Sequence, residues 1–146
     1  MRVPERIVDS GFRGLNRFHR ALRRITGARL GARAFGMSIV EVRTIGRSSG
    51  LKSTVLLAAP VVNGATIVLV ASKGGDDRYP EWFKNLIANP DIDVSIDRRV
   101  RQMRARLATS SECAELWPRV IAAYAPYAAY RKRANREIPL VICEPR

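Results

Sequence analysis

Apolar and polar residues alternate along this chain with two different periods, and the changes of period mark its elements. Over residues 5–26, Phe12, Leu15, Leu22 and Ile25 recur at helical spacing while arginines fill the other faces; this predicts an amphipathic helix. Gly27, Gly31 and Gly36 break it into loop. From Ser38 to Thr44 the period falls to two, with Val40 and Val42 alternating with Glu41 and Arg43, the pattern of a half-buried strand. Gly46–Gly50 reads as a loop. Two apolar, β-branched runs, Thr54–Val62 and Ala65–Ala71, flank Asn63-Gly64. Asn-Gly accepts the positive φ angles of a type I′ turn, so the two runs are predicted to form a hairpin.

Ser72–Tyr79 is polar and reads as loop. Pro80–Ala88 is a short helix, opened by Pro80 and ended by Asn89-Pro90. Ile92–Ile96 and Val100–Leu107 form a second hairpin across Asp97–Arg99. Thr109-Ser110-Ser111-Glu112 has the spacing of a capping box, in which hydroxyl and carboxylate satisfy helix-end amides. The helix behind it carries Cys113, Leu116, Trp117, Val120, Ile121 and Tyr124 on one face. Pro126 interrupts that helix and opens another; Ile138–Glu144 is a final strand. About six strands, mostly in hairpins, with helices at the start, middle and end, predict an α+β fold. The expected architecture is an antiparallel sheet curled into a barrel with helices around it. A doubly wound parallel sheet would alternate strand and helix, and this chain does not.

Composition narrows this picture. A chain of 146 residues with 47% hydrophobic residues suits one domain with one core. No run approaches the ~18 apolar residues of a membrane span. Arg13, Arg17, Arg20, Arg23 and Arg24 interrupt every apolar stretch near the start, unlike a secretory signal, so a cytoplasmic protein is expected. The net charge is +13, from 26 Lys and Arg against 13 Asp and Glu. The excess is densest in the first third of the chain. Such a field attracts an anionic lipid surface, a phosphorylated cofactor or nucleic acid. No helix-turn-helix, zinc-finger or RNP-like pattern accompanies it, so no specific nucleic-acid partner is expected. The arginine-flanked stripe of residues 5–26 suits an anionic bilayer surface. Cys113 and Cys143 have no metal-ligand spacing, and His19 is the single histidine; neither a metal centre nor a Ser-His-Asp device is expected on that ground.

Four constellations carry candidate chemistry. Thr44-Ile45-Gly46-Arg47-Ser48-Ser49-Gly50-Leu51-Lys52 joins strand to strand through glycines, hydroxyls and two cations, a composition suited to an anion, although it lacks the order of a Walker loop. Val70-Ala71-Ser72-Lys73-Gly74-Gly75 leaves a buried strand with a hydroxyl, an ammonium and backbone amides in one mouth. Adjacent side chains leaving a strand point to opposite faces, which favours ligand binding there over a serine nucleophile. In Pro80–Pro90, Trp82 and Asn85 lie one helical turn apart and can flank one pocket, while Trp82, Phe83, Leu86 and Ile87 also suit plain core. Tyr124, Tyr127 and Tyr130 recur every third residue; they suit either an aromatic packing stripe or the rim of an apolar pocket, where a phenol can donate a proton.

In this order and spacing, these segments closely resemble the deazaflavin-dependent nitroreductase family, the flavin and deazaflavin oxidoreductases of the split β-barrel type. The resemblance runs from Phe18 to Pro145. It includes Leu22-x₂-Ile25-Thr26-Gly27, Thr44-x-Gly46-Arg47, Ala71–Gly75, Trp82-Phe83-x-Asn85-Leu86-x-Ala88-Asn89-Pro90, the three tyrosines and Ile138-Pro139…Cys143-Glu144-Pro145. It implies binding of coenzyme F420, an 8-hydroxy-5-deazaflavin, with FMN the weaker alternative. It also implies hydride transfer to an electron-poor acceptor such as a quinone, an activated alkene or a nitro compound. Arg47, Ser48, Ser49, Gly50, Leu51 and Lys52 would then hold the coenzyme's phosphate and acidic tail. Val70, Ala71, Ser72 and Lys73 would lie along the ring, with Trp82 and Asn85 nearby. Tyr127 would orient the acceptor or supply a proton, Ser72 would hydrogen-bond ring or substrate, and Tyr124 and Tyr130 would form a lip. The family loop reads Gly-Arg-Lys-Ser/Thr-Gly-x-Pro-Arg-x-x-Pro; here Ser48 stands for the lysine, Lys52 for the first proline, Ser53 for the arginine and Leu56 for the later proline. That departure leaves open a non-catalytic relative that holds a fatty acid or other lipid on the same barrel. The expected organisation is a basic helix and loop over residues 1–37 and the barrel over 38–146, one structural domain in all. It is expected as a monomer or homodimer in the cytoplasm, with a peripheral position on the inner face of the membrane.

Overall fold

A computed structural model describes residues 33–146; the expected helix over 5–26, its membrane-facing stripe and His19 lie outside the described residues. The elements are β1 (Arg33–Ala34), β2 (Met37–Ile45), β3 (Lys52–Ala59), β4 (Val61–Asn63), β5 (Thr66–Val70), a single tight turn at Lys73–Gly75, α1 (Glu81–Ala88), β6 (Asp91–Ile96), β7 (Arg99–Leu107), α2 (Ser110–Ala123), α3 (Pro126–Arg133) and β8 (Leu140–Pro145). Every strand pairing is antiparallel. The sheet runs β3-β2-β6-β7-β8-β5-β4, with β1 paired to the start of β2. Arg33, Ala34 and Met37 therefore lie in the sheet, joined by a turn at Phe35-Gly36.

The apolar run Thr54–Val62 is two strands and not one. Pro60 has no N–H to give to a ladder, and the chain changes partner there. β3 pairs along β2 from Ser38↔Ala59 to Ile45↔Lys52, while β4 pairs with β5. These partners lie at opposite ends of the sheet. One bent segment thus draws the two ends together and curls the sheet into a split barrel.

The curl creates two cores. Val40, Val42, Leu57, Ile67, Leu69, Ile92, Val94, Met103 and Val141 form the inner one, and α1 plugs it with Trp82, Phe83 and Leu86. On the outer face, Val68, Val70, Leu140 and Ile142 meet Trp117 and Val120 of α2 and Tyr127 of α3. β5 and β8 are covered on both faces, which is why their sequences read as unbroken apolar runs. Ile87, expected as core, is exposed because it faces away from the barrel.

The type I′ turn expected at the first hairpin occurs at the second. The pair Asn63↔Thr66 closes the first hairpin, so its central residues are Gly64-Ala65, and Gly64 at φ 61° supplies the positive angle. In the second, Ile96↔Arg99 closes around Asp97 (φ 50°) and Arg98 (φ 65°), the double positive φ of a type I′ turn. The capping box forms as expected, with Thr109 Oγ1 accepting from the Glu112 amide and Glu112 Oε1 accepting from the Thr109 amide. No helix among the described residues is long and apolar enough to cross a membrane.

Candidate active site

β5 leaves the sheet between the two cores. Val70 belongs to the outer cluster beside Tyr127, and Ala71 to the inner cluster with Trp82. Ser72 and Lys73 follow, both buried. The chain then takes three left-handed residues in succession, Lys73 (φ 47°), Gly74 (φ 65°) and Gly75 (φ 86°). Lysine carries a Cβ that clashes in this region, a strain of about 1–2 kcal/mol. Gly75 is required twice over: a Cβ there would lie 3.1 Å from both Cα and O of Tyr130. α3 therefore rests on the bare backbone of the turn.

The last residue of α3 and the connector to β8 fasten this turn and the loop that follows. Arg133 Nη1 donates to the Gly74 carbonyl (3.1 Å), and the Asn135 amide donates to Asp77 Oδ1 (2.8 Å). Arg136 donates to the carbonyls of Ala71, Ser72 and Arg78 through Nη2 and of Asp76 through Nε, at 3.0–3.2 Å. Ala71 N donates to the Pro139 carbonyl at 3.0 Å. Within the loop, hydrogen bonds from Arg78 hold the Asp76 carboxyl well below its ordinary range.

The tyrosines form a comb on α3 and the end of α2. Tyr127 is buried and meets Tyr124 edge-on at 5.3 Å and Tyr130 at 5.8 Å, between ring centroids. Phe35 from the β1–β2 turn lies 5.5 Å from Tyr124. Burial first, then the neighbouring Tyr130 and Tyr124 phenols, push the Tyr127 phenol far above its ordinary value. Burial and the Tyr124 hydrogen bond raise Tyr130 as well. Both phenols are therefore protonated at neutral pH, and so able to donate but not to act as bases.

The second wall joins β2 to α1. Asn85 is buried, and its Oδ1 accepts from the Arg47 amide (3.2 Å) and Nη1 (2.9 Å), while its Nδ2 faces the buried Thr44 Oγ1 at 3.5 Å. Arg47 Nη2 donates to Glu81 Oε1 (2.9 Å), and Lys84 Nζ donates to Glu81 Oε2 (3.0 Å). Burial opposes ionisation of Glu81, but the hydrogen bonds from Arg47 and Lys84 hold its carboxyl below the ordinary value. Ser48, Ser49, Gly50, Leu51 and Lys52 are all exposed. This turn is closed by its own bonds, Gly46 N to Leu51 O (2.8 Å), Gly50 N to Gly46 O (2.9 Å) and Leu51 N to Ser49 Oγ (3.1 Å).

Of the candidates, Arg47 and Asn85 are thus hydrogen-bonded, Ala71 and Trp82 share the inner core, and Val70 and Tyr127 share the outer one. Trp82 and Tyr127 lie on opposite faces of β5. Asp77, Asn135 and Arg136 complete these walls without having been singled out; Thr44, Gly75, Glu81 and Lys84 lay within the candidate segments but had no role assigned. Arg136 and its acceptors are 58–65 residues apart, so no local spacing reveals them; Glu81 and Lys84 were visible only as helix surface. One observation bears on a ring ligand. Trp82 Nε1 is buried with no hydrogen-bond partner, and an unpaired buried donor costs about 1–3 kcal/mol. An indole donor beside Ala71, with a cationic cluster at Arg47 and Lys84, fits a flat, heteroatom-rich ring carrying an anionic tail.

The model of a family described as F420H(2)-dependent quinone reductase matches residues 15–145. An F420H(2)-dependent quinone reductase of Mycobacterium tuberculosis is 35% identical to this chain over 133 residues, covering 88% of each protein. A solved F420-H2 dependent reductase superposes with a TM-score of 0.66 at 38% identity, covering 73% of this chain and 93% of that one. A chain solved as a domain-swapped dimer superposes with the same score and identity, over 73% of this chain and 79% of its own.

Proposed function

The chain belongs to the F420H(2)-dependent quinone reductase family, and from that premise we propose that it reduces quinone-type acceptors at the exit of β5. It is an oxidoreductase, its cofactor is coenzyme F420, and its partner substrate is a small-molecule acceptor. The bound coenzyme supplies the hydride; the protein supplies orientation, charge and exclusion of water. Val70, Ala71, Ser72 and Lys73 line the ring together with Trp82 and Asn85. Arg47, with the exposed Ser48–Lys52 turn, meets the anionic tail. Reducing a quinone to its hydroquinone takes one hydride and one proton. Tyr127, protonated and dry, is the proton donor that orients the acceptor, and Tyr124 and Tyr130 are its lip. Activated alkenes and nitro compounds are further acceptors with the same electron demand.

The observation that carries this reading is the burial of Ser72 and Lys73 in a left-handed turn between the Trp82 core and the tyrosine comb. Titration with F420, followed by oxidation of the reduced coenzyme with menadione, tests it. Micromolar binding and menadione-dependent turnover are expected. A protein that binds no coenzyme and instead carries a co-purified fatty acid would overturn it.

The arginine-flanked stripe of residues 5–26 supports attachment to an anionic membrane surface; pelleting with anionic liposomes, lost when the segment is removed, is its test. The 38% identical domain-swapped neighbour supports a homodimer, which sedimentation velocity would detect.

A further inference from the structure

The Lys73–Gly75 turn is a shape that the local chain does not favour. Lys73 sits in a region that disfavours any residue with a Cβ, and two glycines follow it with their large unfolded freedom. The turn's own backbone bonds are two, Gly75 N to Ser72 O (2.9 Å) and Asp76 N to Lys73 O (3.2 Å). Something outside the loop must hold the rest. We infer that Arg136 is a positioning residue of the site: its guanidinium gathers the carbonyls of Ala71, Ser72, Asp76 and Arg78 and so fixes the turn against which the coenzyme ring lies. This rests on the proposed placement of the ring along Ala71–Lys73.

Three features support the assignment. First, the acceptors lie on both sides of the left-handed turn, two before it and two after it, so one planar group clamps both ends. A guanidinium has five N–H donors in a rigid fork; a lysine ammonium is a point donor and cannot span the same set. Second, the same guanidinium lies 4.6 Å from the centroid of the Tyr79 ring, and Tyr79 stacks at 5.3 Å on Phe83 of α1. Arg136 therefore ties the loop to the helix that carries Trp82 and Asn85. Third, its one further hydrogen bond goes to the carbonyl of its neighbour Glu137 (3.2 Å), and none reaches the paired strands. Its removal should loosen the loop and leave the sheet intact. The connector that carries it continues directly from α3, so the tyrosine comb and the ring wall are set by one piece of chain.

The test compares the full-length protein with Arg136→Ala and Arg136→Lys. Trypsin cleavage after Lys73 and Arg78 is followed without coenzyme, F420 affinity by fluorescence titration, and kcat and KM with menadione; Tm is recorded for each protein. In both variants, cleavage in the loop is expected to quicken and F420 binding to weaken by about tenfold or more, while Tm stays within a few degrees of wild type. Millimolar guanidinium should restore part of the affinity of Arg136→Ala, and equal ammonium should not. Wild-type affinity and wild-type proteolysis in Arg136→Ala would overturn the inference; if that variant does not fold, the same readings are taken on Arg136→Lys. Loss of the fold in both variants would also overturn it, by making Arg136 a residue of the fold and not of the loop. A wild-type protein that fails to bind F420 would instead overturn the proposed site itself.

Discussion

Two loops form the walls of the proposed site, and they are held in opposite ways. The turn at 71–78 is buried at Ala71–Lys73 and Gly75 and fixed from far along the chain, by Arg133, Asn135, Arg136 and Pro139. The turn at 46–51 is exposed from Arg47 onward and closed mostly on itself; Arg47 is its tie to α1. A ring that must meet its acceptor at hydride-transfer distance needs a pre-formed wall. A flexible anionic tail needs charge nearby but little shape. The structure puts its distant contacts where geometry matters and leaves the other loop to local bonds.

The largest expected effect comes from glycines in the two loops. In Gly75→Ala the new Cβ would sit 3.1 Å from the Tyr130 backbone at φ 86°. Neither the helix backbone nor the angle can yield cheaply, so a loss of about 2–4 kcal/mol is expected. Gly50 also has a positive φ, 71°, but nothing lies within 4 Å of its missing Cβ. Gly50→Ala should cost only about 1 kcal/mol. Urea denaturation of both variants measures this, and equal losses would mean the two loops are held alike.

A hydroxyl deletion on the fixed wall comes next. Tyr127→Phe keeps the ring between Tyr124 and Tyr130 and removes the protonated phenol. Turnover is expected to fall by about a hundredfold with coenzyme affinity unchanged. Because burial raises this phenol, the wild-type rate should show no loss of the donor near pH 10.0, where an unperturbed tyrosine ionises. An alkaline limb at that pH that persists in the variant would assign the proton to an exposed group. The self-closed loop should respond differently. Ser48 is exposed, so Ser48→Lys should leave Tm unchanged and tighten F420 binding several-fold by adding a cation for the tail. Unchanged affinity would mean that the tail does not pass this loop.

Much of the barrel was legible from local pattern, because β2 alternates and α2 opens on a capping box. The split at Pro60 was not, although proline marks it, since the run on either side is uniformly apolar and only the choice of two distant partners breaks it. Asn63-Gly64 pointed to a type I′ turn, yet register placed the turn one residue later; Asp97-Arg98 took that form with no glycine at all. In the site, the tyrosine spacing and the Ser-Lys-Gly-Gly exit were readable as local patterns. What holds them was not. Arg136, Asn135 and Asp77 are ordinary polar residues whose meaning lies in contacts across some sixty residues of chain.

The smallest expected effect separates Arg47 as a structural tie from Arg47 as a ligand for the tail. Glu81 and Asn85 share its guanidinium, and Glu81 also holds Lys84. An anionic tail that recruits Arg47 must compete with that carboxylate. Glu81→Gln keeps the shape and removes the competing charge, so F420 affinity should rise a few-fold, while stability changes little because both partners are more than a third exposed. Acid should act in the same direction. The folded carboxyl titrates below its ordinary 4.5, so the pair's stabilisation is complete above that value and is lost as pH falls through the lower folded one. Below it, Arg47 and Lys84 are released together. The wild-type protein should then gain on the Gln variant in relative F420 affinity as pH drops, and the two should converge at the acid end. A constant ratio at all pH values would show that Glu81 does not compete for Arg47, and the exposed loop would then be as fixed on its tail-binding side as the buried one is on the ring side.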